Sequence, residues 1–588
     1  MNGDVTASIV YTNKARCRDC YRCVRVCPVK AIRMKEGQAS EMAASCLACG
    51  TCIRECPQGA KSFRDVLERA RALVAAPGMT AVSVAPSFAA LFPAWQRRRL
   101  PSALRRLGFG FVAETAVGAY PVACATAAHV ASRPERAHIV SACPAVVRYV
   151  ERYRPTLVDT LVPVVSPMAA HARRLKQRFP PGSRVVFVGP CVAKKLEAER
   201  PGVREWVDVV LTFVELAEWL RRANLDLGTC EESEFDETPA GAARLFPLVG
   251  GSLRTAGLTT DILAARVISV SGFEEVRDAL DGIEAGETVV VEPLFCRQGC
   301  INGPAIPADV NLFRRRESLL GYGEAEGAAG PEPIADDLGV QFVRGGAAGT
   351  AAPSEADIIR ELERTGKGQP EEQLNCGACG YASCRDKAVA VLAGMAETEM
   401  CLPLMRRRAE QRTDRIIESS PNGIVILDDR LTILSMNPAF RRYFMCSEAL
   451  CGKRISYLMD PHLFEQVAAG ECDLVEAAVR HDKYSLVCHQ IAYALRDEKQ
   501  YVGIFVNITH SRASQEKLND LRAHTLTQAQ QLLEHQVGMA QKITQLLGES
   551  AAQGEVLVEH LRELASDEGV AGRSEDKAWP RASFMSKP

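Results

Sequence analysis

Between residues 67 and 342, short apolar runs rich in β-branched residues (MTAVSVAP, RAHIVSA, SRVVFVGP, RVISVSG, TVVVEPLF) alternate with segments of helical period such as HARRLKQRF and FVELAEWLRR. Runs of that length without a polar face read as strands buried on both sides, and their alternation with helices predicts an α/β domain. The texture differs on either side. Residues 1–66 are dense in cysteine, GGAAGTAAPSEAD predicts a linker over 343–357, and a second cysteine-rich segment fills 358–410. Alternating strands predict an α+β domain over 411–510. Beyond it Leu518, Leu521, Leu526, Ala529, Leu533, Val537, Ala540, Ile543 and Leu547 recur mostly at three- and four-residue steps, which predicts an amphipathic helix or coiled coil over 511–566. The polar stretch 567–588 predicts a disordered tail.

Composition narrows the function classes. A chain of 588 residues with 47% apolar content predicts several folded domains, and a net charge of −1 gives no support to nucleic-acid binding. No apolar run approaches the ~18 residues of a membrane span, and MNGDVTASIVYTNKARC lacks a signal-peptide core, so a cytoplasmic protein is expected. Thiols stay reduced there. The 22 cysteines, bunched at tight spacings, are therefore expected to ligate metal rather than to form disulfides.

Cys17, Cys20, Cys23 and Cys27, followed by Pro28, form C-x2-C-x2-C-x3-C-P, and Cys46, Cys49, Cys52, Cys56 and Pro57 repeat it. Two copies of this run predict two [4Fe-4S] clusters in which the fourth Cys of each run ligates the other cluster. Cys17, Cys20, Cys23 and Cys56 are then one set and Cys46, Cys49, Cys52 and Cys27 the other. Zinc is the alternative, but it offers no reason for the paired Cys-Pro endings. The module resembles bacterial two-cluster ferredoxins. Cys376, Cys379, Cys384 and Cys401 form a further set, C-x2-C-x4-C-x16-C, resembling a small helical [4Fe-4S] domain of anaerobic redox proteins; one closed four-Cys site would equally hold zinc.

Three strands of the α/β region run into cysteine: IVSACPAVV carries Cys143, VVFVGPCVAKKLEAE carries Cys191, and VVVEPLFCRQGCINGP carries Cys296 and Cys300. Ligands of open α/β sheets bind at the carboxyl ends of strands, so these thiols could meet at one buried group. Cysteine as a plain core hydrophobe is the alternative, and Cys124 reads that way.

These three loops resemble, in order and spacing, the signature loops of the [FeFe]-hydrogenase large subunit. The resemblance implies a [4Fe-4S] subcluster held by Cys143, Cys191, Cys296 and Cys300, with Cys300 bridging to a two-iron subcluster bearing CO and cyanide. Lys194 matches the family lysine that donates to a cyanide, and Glu197 the glutamate beside it. Three departures stand out. The relay cysteine expected before Cys143 is Ala142; two methionines expected against the two-iron unit are Gly189 and Leu294; and the Trp expected soon after Pro144 is absent, Ala145 and Val146 following it. Alanine cannot move a proton. The pattern is closer to the family's sensory branch, and RIIESSPNGIVILDDRLTILSMNPAFRRYF resembles a PAS domain, whose ligand the sequence leaves unknown. Cys446, Cys451, Cys472 and Cys488, and His462, His481 and His489, show no ligand spacing and read as ordinary core or surface residues.

The expectation is thus a multidomain α/β iron-sulfur protein that binds and slowly oxidises H2 (or reduces protons), exchanges electrons with a redox partner, and signals as a PAS-linked homodimer to a downstream phosphatase or kinase. It carries two clusters in the ferredoxin domain, one in 358–410 and one in the 67–342 domain. An active electron-delivering hydrogenase, and a scaffold holding only a cubane at the site of Cys143, Cys191, Cys296 and Cys300, are the alternatives.

Overall fold

The computed structural model describes residues 8–509 except 260, 262, 264, 265, 307–309, 324–336 and 346–352, together with isolated positions between 531 and 539. The expected helix over 511–566 lies almost wholly outside the described residues, and the tail over 567–588 wholly so. The chain divides into two compact units, Met1–Arg408 and Ala409–Pro588. Among the described residues no helix is long and apolar enough to cross a membrane.

The cysteine-dense N-terminus folds as two antiparallel pairs, β1 (Val10–Thr12) with β4 (Lys61–Phe63) and β2 (Ile32–Lys35) with β3 (Gln38–Glu41). The α/β region follows as two parallel sheets. One has the order β6 (Phe111–Glu114), β5 (Thr80–Val84), β8 (Arg184–Gly189), β9 (Val209–Thr212); the other has β10 (Val267–Ser271), β11 (Val290–Leu294), β7 (His138–Ile139). Every residue of β5, β6, β9 and β11 is buried, which is why these strands read as unbroken runs in the sequence. Burying one Val, Leu or Phe stabilises by about 1.5–3 kcal/mol, and Val82, Val84, Val112, Val186 and Val188 all sit at the centre of the first sheet's core.

The segment after the predicted linker does not stand apart. A helix, Glu355–Arg364, starts inside the stretch read as linker, capped by Ser354, and residues beyond it pack back on the N-terminal module. Val24, Ala31, Ile32, Met34, Tyr381, Ala390 and Met400 share one core, Met34 N–H donates to Met395 O at 2.9 Å, and Lys30 Nζ donates to Gly380 O at 2.8 Å.

In the second unit, five antiparallel strands run in the order β13 (Ile433–Met436), β12 (Gly423–Leu427), β16 (Gln500–Asn507), β15 (Leu486–Leu495), β14 (Leu474–His481). Asn437 fixes the start of the helix Pro438–Tyr443. Its Oδ1 accepts from Phe440 N–H at 2.9 Å and Ile424 N–H at 2.8 Å, a cap tied to the neighbouring strand.

Candidate functional site

The two parallel sheets end at a shared cavity. Cys191 follows β8 of the first sheet, whereas Cys143 follows β7 and Cys296 and Cys300 follow β11 of the second. All four line one cavity of about 100 Å³, with an otherwise largely apolar wall that includes Phe187, Phe246 and Leu294. Cys143 is the N-cap of the helix Pro144–Tyr153, with proline at its first position, and Cys300 opens the turn Cys300–Asn302. Between the last two thiols the backbone must turn sharply. Gly299 has φ +85° and a Cβ there would stand 2.3 Å from Pro247 O, while the next N–H, of Cys300, donates to that same carbonyl at 2.7 Å.

Burial and then the neighbouring thiol of Cys143 push Cys191 up to about 11, and burial with the facing thiols raises Cys296 and Cys300 further. Four buried thiols facing one another are a poor core and a good ligand set, because only a cationic partner relieves the cost of ionising them. Among the described residues no three His, Cys, Asp or Glu side chains close on a single ion. A four-iron cubane asks for something else, since each thiolate binds its own iron and the sulfurs ring a wider body. The cavity wall also carries two buried polar atoms with no aligned hydrogen bond, Ser87 Oγ and Lys194 Nζ, the latter 2.7 Å from Glu197 Oε2 as an ion pair. Both have donors to spare for an acceptor in the cavity. The adjacent Lys195 does not: it is bound to Val210 O and both Glu215 oxygens, each at 2.9 Å.

Cys49 of the N-terminal module also lines this cavity and lies close enough to perturb Cys296. The contact depends on Gly50, at φ +75°, where a Cβ would come within 2.4 Å of the Pro304 ring. Within that module Cys52 feels Cys49, Cys46 and Cys27, whereas Cys23 feels Cys20 and Cys17, a grouping that follows the crossed rather than the sequential order. Cys27 and Cys56 are placed alike, each Sγ accepting from the N–H four residues on at 3.3 Å.

Comparison with known proteins agrees with this arrangement. The family model for the iron-only hydrogenase large subunit (its C-terminal domain) matches residues 78–304, the segment that brings all four thiols to the cavity. Residues 78–304 are the C-terminal domain of an iron-only hydrogenase large subunit. A 4Fe-4S dicluster domain matches 9–57, an Fe-S cluster domain 372–403 and a PAS domain 411–477. Among curated relatives, the NADP-reducing hydrogenase subunit HndD of Solidesulfovibrio fructosivorans is 26% identical over 53% of this chain and 60% of its own. Iron hydrogenase 1 of Clostridium pasteurianum is 26% identical over 36% of this chain and 45% of its own. The cytosolic Fe-S cluster assembly factor NAR1 of Encephalitozoon cuniculi is 32% identical over 28% of this chain and 51% of its own. The chain therefore spans about half to three-fifths of the length of these relatives.

Around the hydrogenase domain the structure supplies partners that no motif announces. Lys367 is buried and donates from Nζ to Cys384 Sγ and Cys401 Sγ, both at 3.2 Å, in the 358–410 segment; Cys379 there feels Cys401 and Cys376. Lys30 and Tyr381 stand between this set and the N-terminal module, each feeling both Cys27 and Cys379. Glu292, on β11 of the hydrogenase domain, is buried, accepts from Ser252 N–H at 2.8 Å and Ser269 Oγ at 3.0 Å, and is pushed by burial up to about 7. The substituted positions are also accounted for. At Gly189 a Cβ would strike the Phe187 ring at 2.6 Å, so the ring takes the space a longer side chain would need, and Leu294 lines the cavity wall.

In the PAS unit Cys488 is buried in the core, His481 packs edge-on to Phe444, and His489 Nε2 lies 3.3 Å from Glu476 Oε2. Cys446 and Cys472 pack against the same core and Cys451 is exposed, matching their reading as ordinary thiols.

Proposed function

We propose that this chain is a hydrogen-responsive iron-sulfur protein of the sensory kind, with slow H2 chemistry at the two-sheet cavity and an output passed through the PAS domain. The observation that carries the reading is the convergence of Cys143, Cys191, Cys296 and Cys300 with Lys194 on one apolar cavity. The four thiolates would hold a [4Fe-4S] subcluster, with Cys300 bridging to a two-iron unit. When bound, such a group supplies heterolytic cleavage of H2 and takes up its electrons. The chain's own residues do the rest. Lys194, fixed by Glu197, donates to an acceptor atom in the cavity, and the apolar wall excludes water and so strengthens that interaction. Ala142, which lines the same cavity, offers no proton acceptor, and lack of a positioned acid/base group costs about 10²- to 10⁴-fold in rate.

Electrons would leave by the cluster of Cys27, Cys46, Cys49 and Cys52, whose Cys49 adjoins Cys296. That cluster would in turn face the one held by Cys376, Cys379, Cys384 and Cys401 across Lys30 and Tyr381, with the Cys17, Cys20, Cys23 and Cys56 cluster beside it. All 22 cysteines are free, in keeping with a reducing cytoplasm. A homodimer joined through the PAS domain and the segment after it would present the signal to a phosphatase or kinase, and a redox protein would exchange the electrons.

The likeness to NAR1 favours a second reading, a cubane-only scaffold. Infrared spectroscopy of full-length protein produced with the hydrogenase maturation machinery separates the two. Bands of bound CO and cyanide with slow H2 uptake are expected; no bands in iron-replete protein would leave the scaffold. Uptake at the rate of bulk hydrogenases would instead remove the sensory reading.

Lys367 gives a further expectation. A hydrogen bond to a charged group is worth about 1.5–3 kcal/mol, and 59 mV is tenfold for one electron, so Lys367→Met is expected to lower the potential of the adjoining cluster by on the order of 100 mV. An EPR-monitored redox titration reads it; an unchanged midpoint would mean that Cys384 and Cys401 hold no cluster.

A further inference from the structure

We propose that Thr115, Ser83, His171 and Glu237 form a proton relay from the cavity to the protein surface, doing by a separate route what the side chain at position 142 does not. The proposal deepens the reading of the cavity as a site of H2 chemistry and rests on it. Thr115 lines the cavity at the end of β6. Its Oγ1 is 2.6 Å from Ser83 Oγ, in the middle of the buried strand β5, and Ser83 Oγ is 2.8 Å from His171 Nδ1. The other ring nitrogen, Nε2, lies 3.3 Å from Glu237 Oε2, and the Glu237 carboxylate is paired with Arg174 and Arg178, whose side chains are 37% and 48% exposed. Four groups thus span from cavity to solvent without a gap, through residues that are otherwise core: Ser83 and His171 are 0% exposed.

The donors and acceptors can all point one way. With the ring proton on Nε2 facing a carboxylate, Nδ1 accepts from Ser83, and Ser83 Oγ accepts from Thr115. A lone pair of Thr115 Oγ1 is then left toward the cavity. A proton arriving there moves each O–H or N–H proton one place outward: Ser83 gains the Thr115 proton, Nδ1 gains that of Ser83, and Nε2 gives its own to Glu237, from which it reaches water. No other bond changes, no oxidant is consumed, and the ring regains its starting tautomer by flipping. Burial drives the His171 pKa down, so the ring is neutral and able to take a proton at Nδ1.

A purely structural tie is the competing use of these contacts. Satisfied buried polar groups contribute little net stability, and apolar residues of the same shape would serve a core as well. The packing nevertheless makes room for the ring. A Cβ at Gly118 would come within 2.6 Å of His171 Cβ and N, so only glycine lets the helix Ala116–Ser132 sit against the helix Pro167–Arg178 there.

The test uses full-length, maturated protein carrying Ser83→Ala, His171→Gln or Glu237→Gln. H2 oxidation per loaded site, with loading read from the infrared bands, is expected to fall about tenfold or more in each. Independently of turnover, 15N-histidine NMR of the full chain is expected to show solvent deuterium exchange of the His171 ring N–H slowed about tenfold in Glu237→Gln, because the carboxylate is its exit. Turnover within about twofold of the parent in Ser83→Ala, or a fall that merely tracks cluster loading, overturns the relay. Should the parent itself show no H2 chemistry, the reading of the cavity fails, and ring exchange that is unchanged in Glu237→Gln overturns the relay by itself.

Discussion

Cys300→Ala in maturated full-length protein is expected to abolish H2 turnover and the infrared bands of CO and cyanide together, while the EPR signals of the ferredoxin clusters persist. The reasons are local. The thiol is wholly enclosed with those of Cys143, Cys191 and Cys296, and its own backbone N–H is spent on Pro247 O, so no neighbouring group can swing into its place. In the proposed arrangement it is the one sulfur shared by the cubane and the two-iron unit, so its loss removes both. Cys230→Ala is the matched control. Cys230 is also buried, but its Sγ lies 3.5 Å from Asp226 O in the apolar core of the first sheet, where it packs as a small hydrophobe. Removing it should leave iron content, bands and turnover unchanged. Iron content measured on both variants decides the matter: a Cys300→Ala protein with the parent's iron and bands would mean that the cavity is not the cluster site.

Much of this was legible along the chain, and the reason is that cluster chemistry writes itself into spacing. The two C-x2-C-x2-C-x3-C-P runs and the three cysteine loops after strands needed no structure, because a strand buried on both faces is apolar throughout and a ligand loop must follow its carboxyl end. What stayed hidden depends on contacts between distant segments. Nothing in FVAE or VVLT distinguished β6 and β9 as strands, each only four residues long. The approach of Cys49 to Cys296 rests on Gly50 meeting Pro304, more than 250 positions apart, and the return of Tyr381 onto Val24 and Met34 crosses the stretch that reads as a linker. Single residues without a motif were equally silent: Lys367, Glu292 and His171 acquire their meaning only from what the fold sets beside them. One faint signal did exist. Ser83 interrupts the apolar run TAVSV, and a hydroxyl in a strand buried on both faces must find a partner.

Ala142→Cys is expected to raise H2 turnover by about 10²-fold or more, restoring at one position the acid/base group whose absence costs about 10²- to 10⁴-fold. The side chain of Ala142 already lines the cavity, next to Cys143 and ahead of the helix Pro144–Tyr153, so the substitution adds one sulfur at a point where the wall is open and moves no backbone. A thiol there can take a proton from the cavity and pass it on, which a methyl cannot. The same variant separates the two routes for protons. If Thr115, Ser83, His171 and Glu237 carry the parent's slow flux, a new thiol opens a parallel path, and Ser83→Ala should cost much less in the Ala142→Cys background than in the parent; the double-mutant cycle then shows a coupling that two independent packing defects would not produce. Infrared bands at parental intensity are required of every variant, so that rate is compared per loaded site. A rate unchanged by Ala142→Cys at full loading would place the limit elsewhere, in electron exit past Cys49 or in the wall formed by Phe187 and Leu294, and would remove proton delivery as the reason this hydrogenase domain is slow.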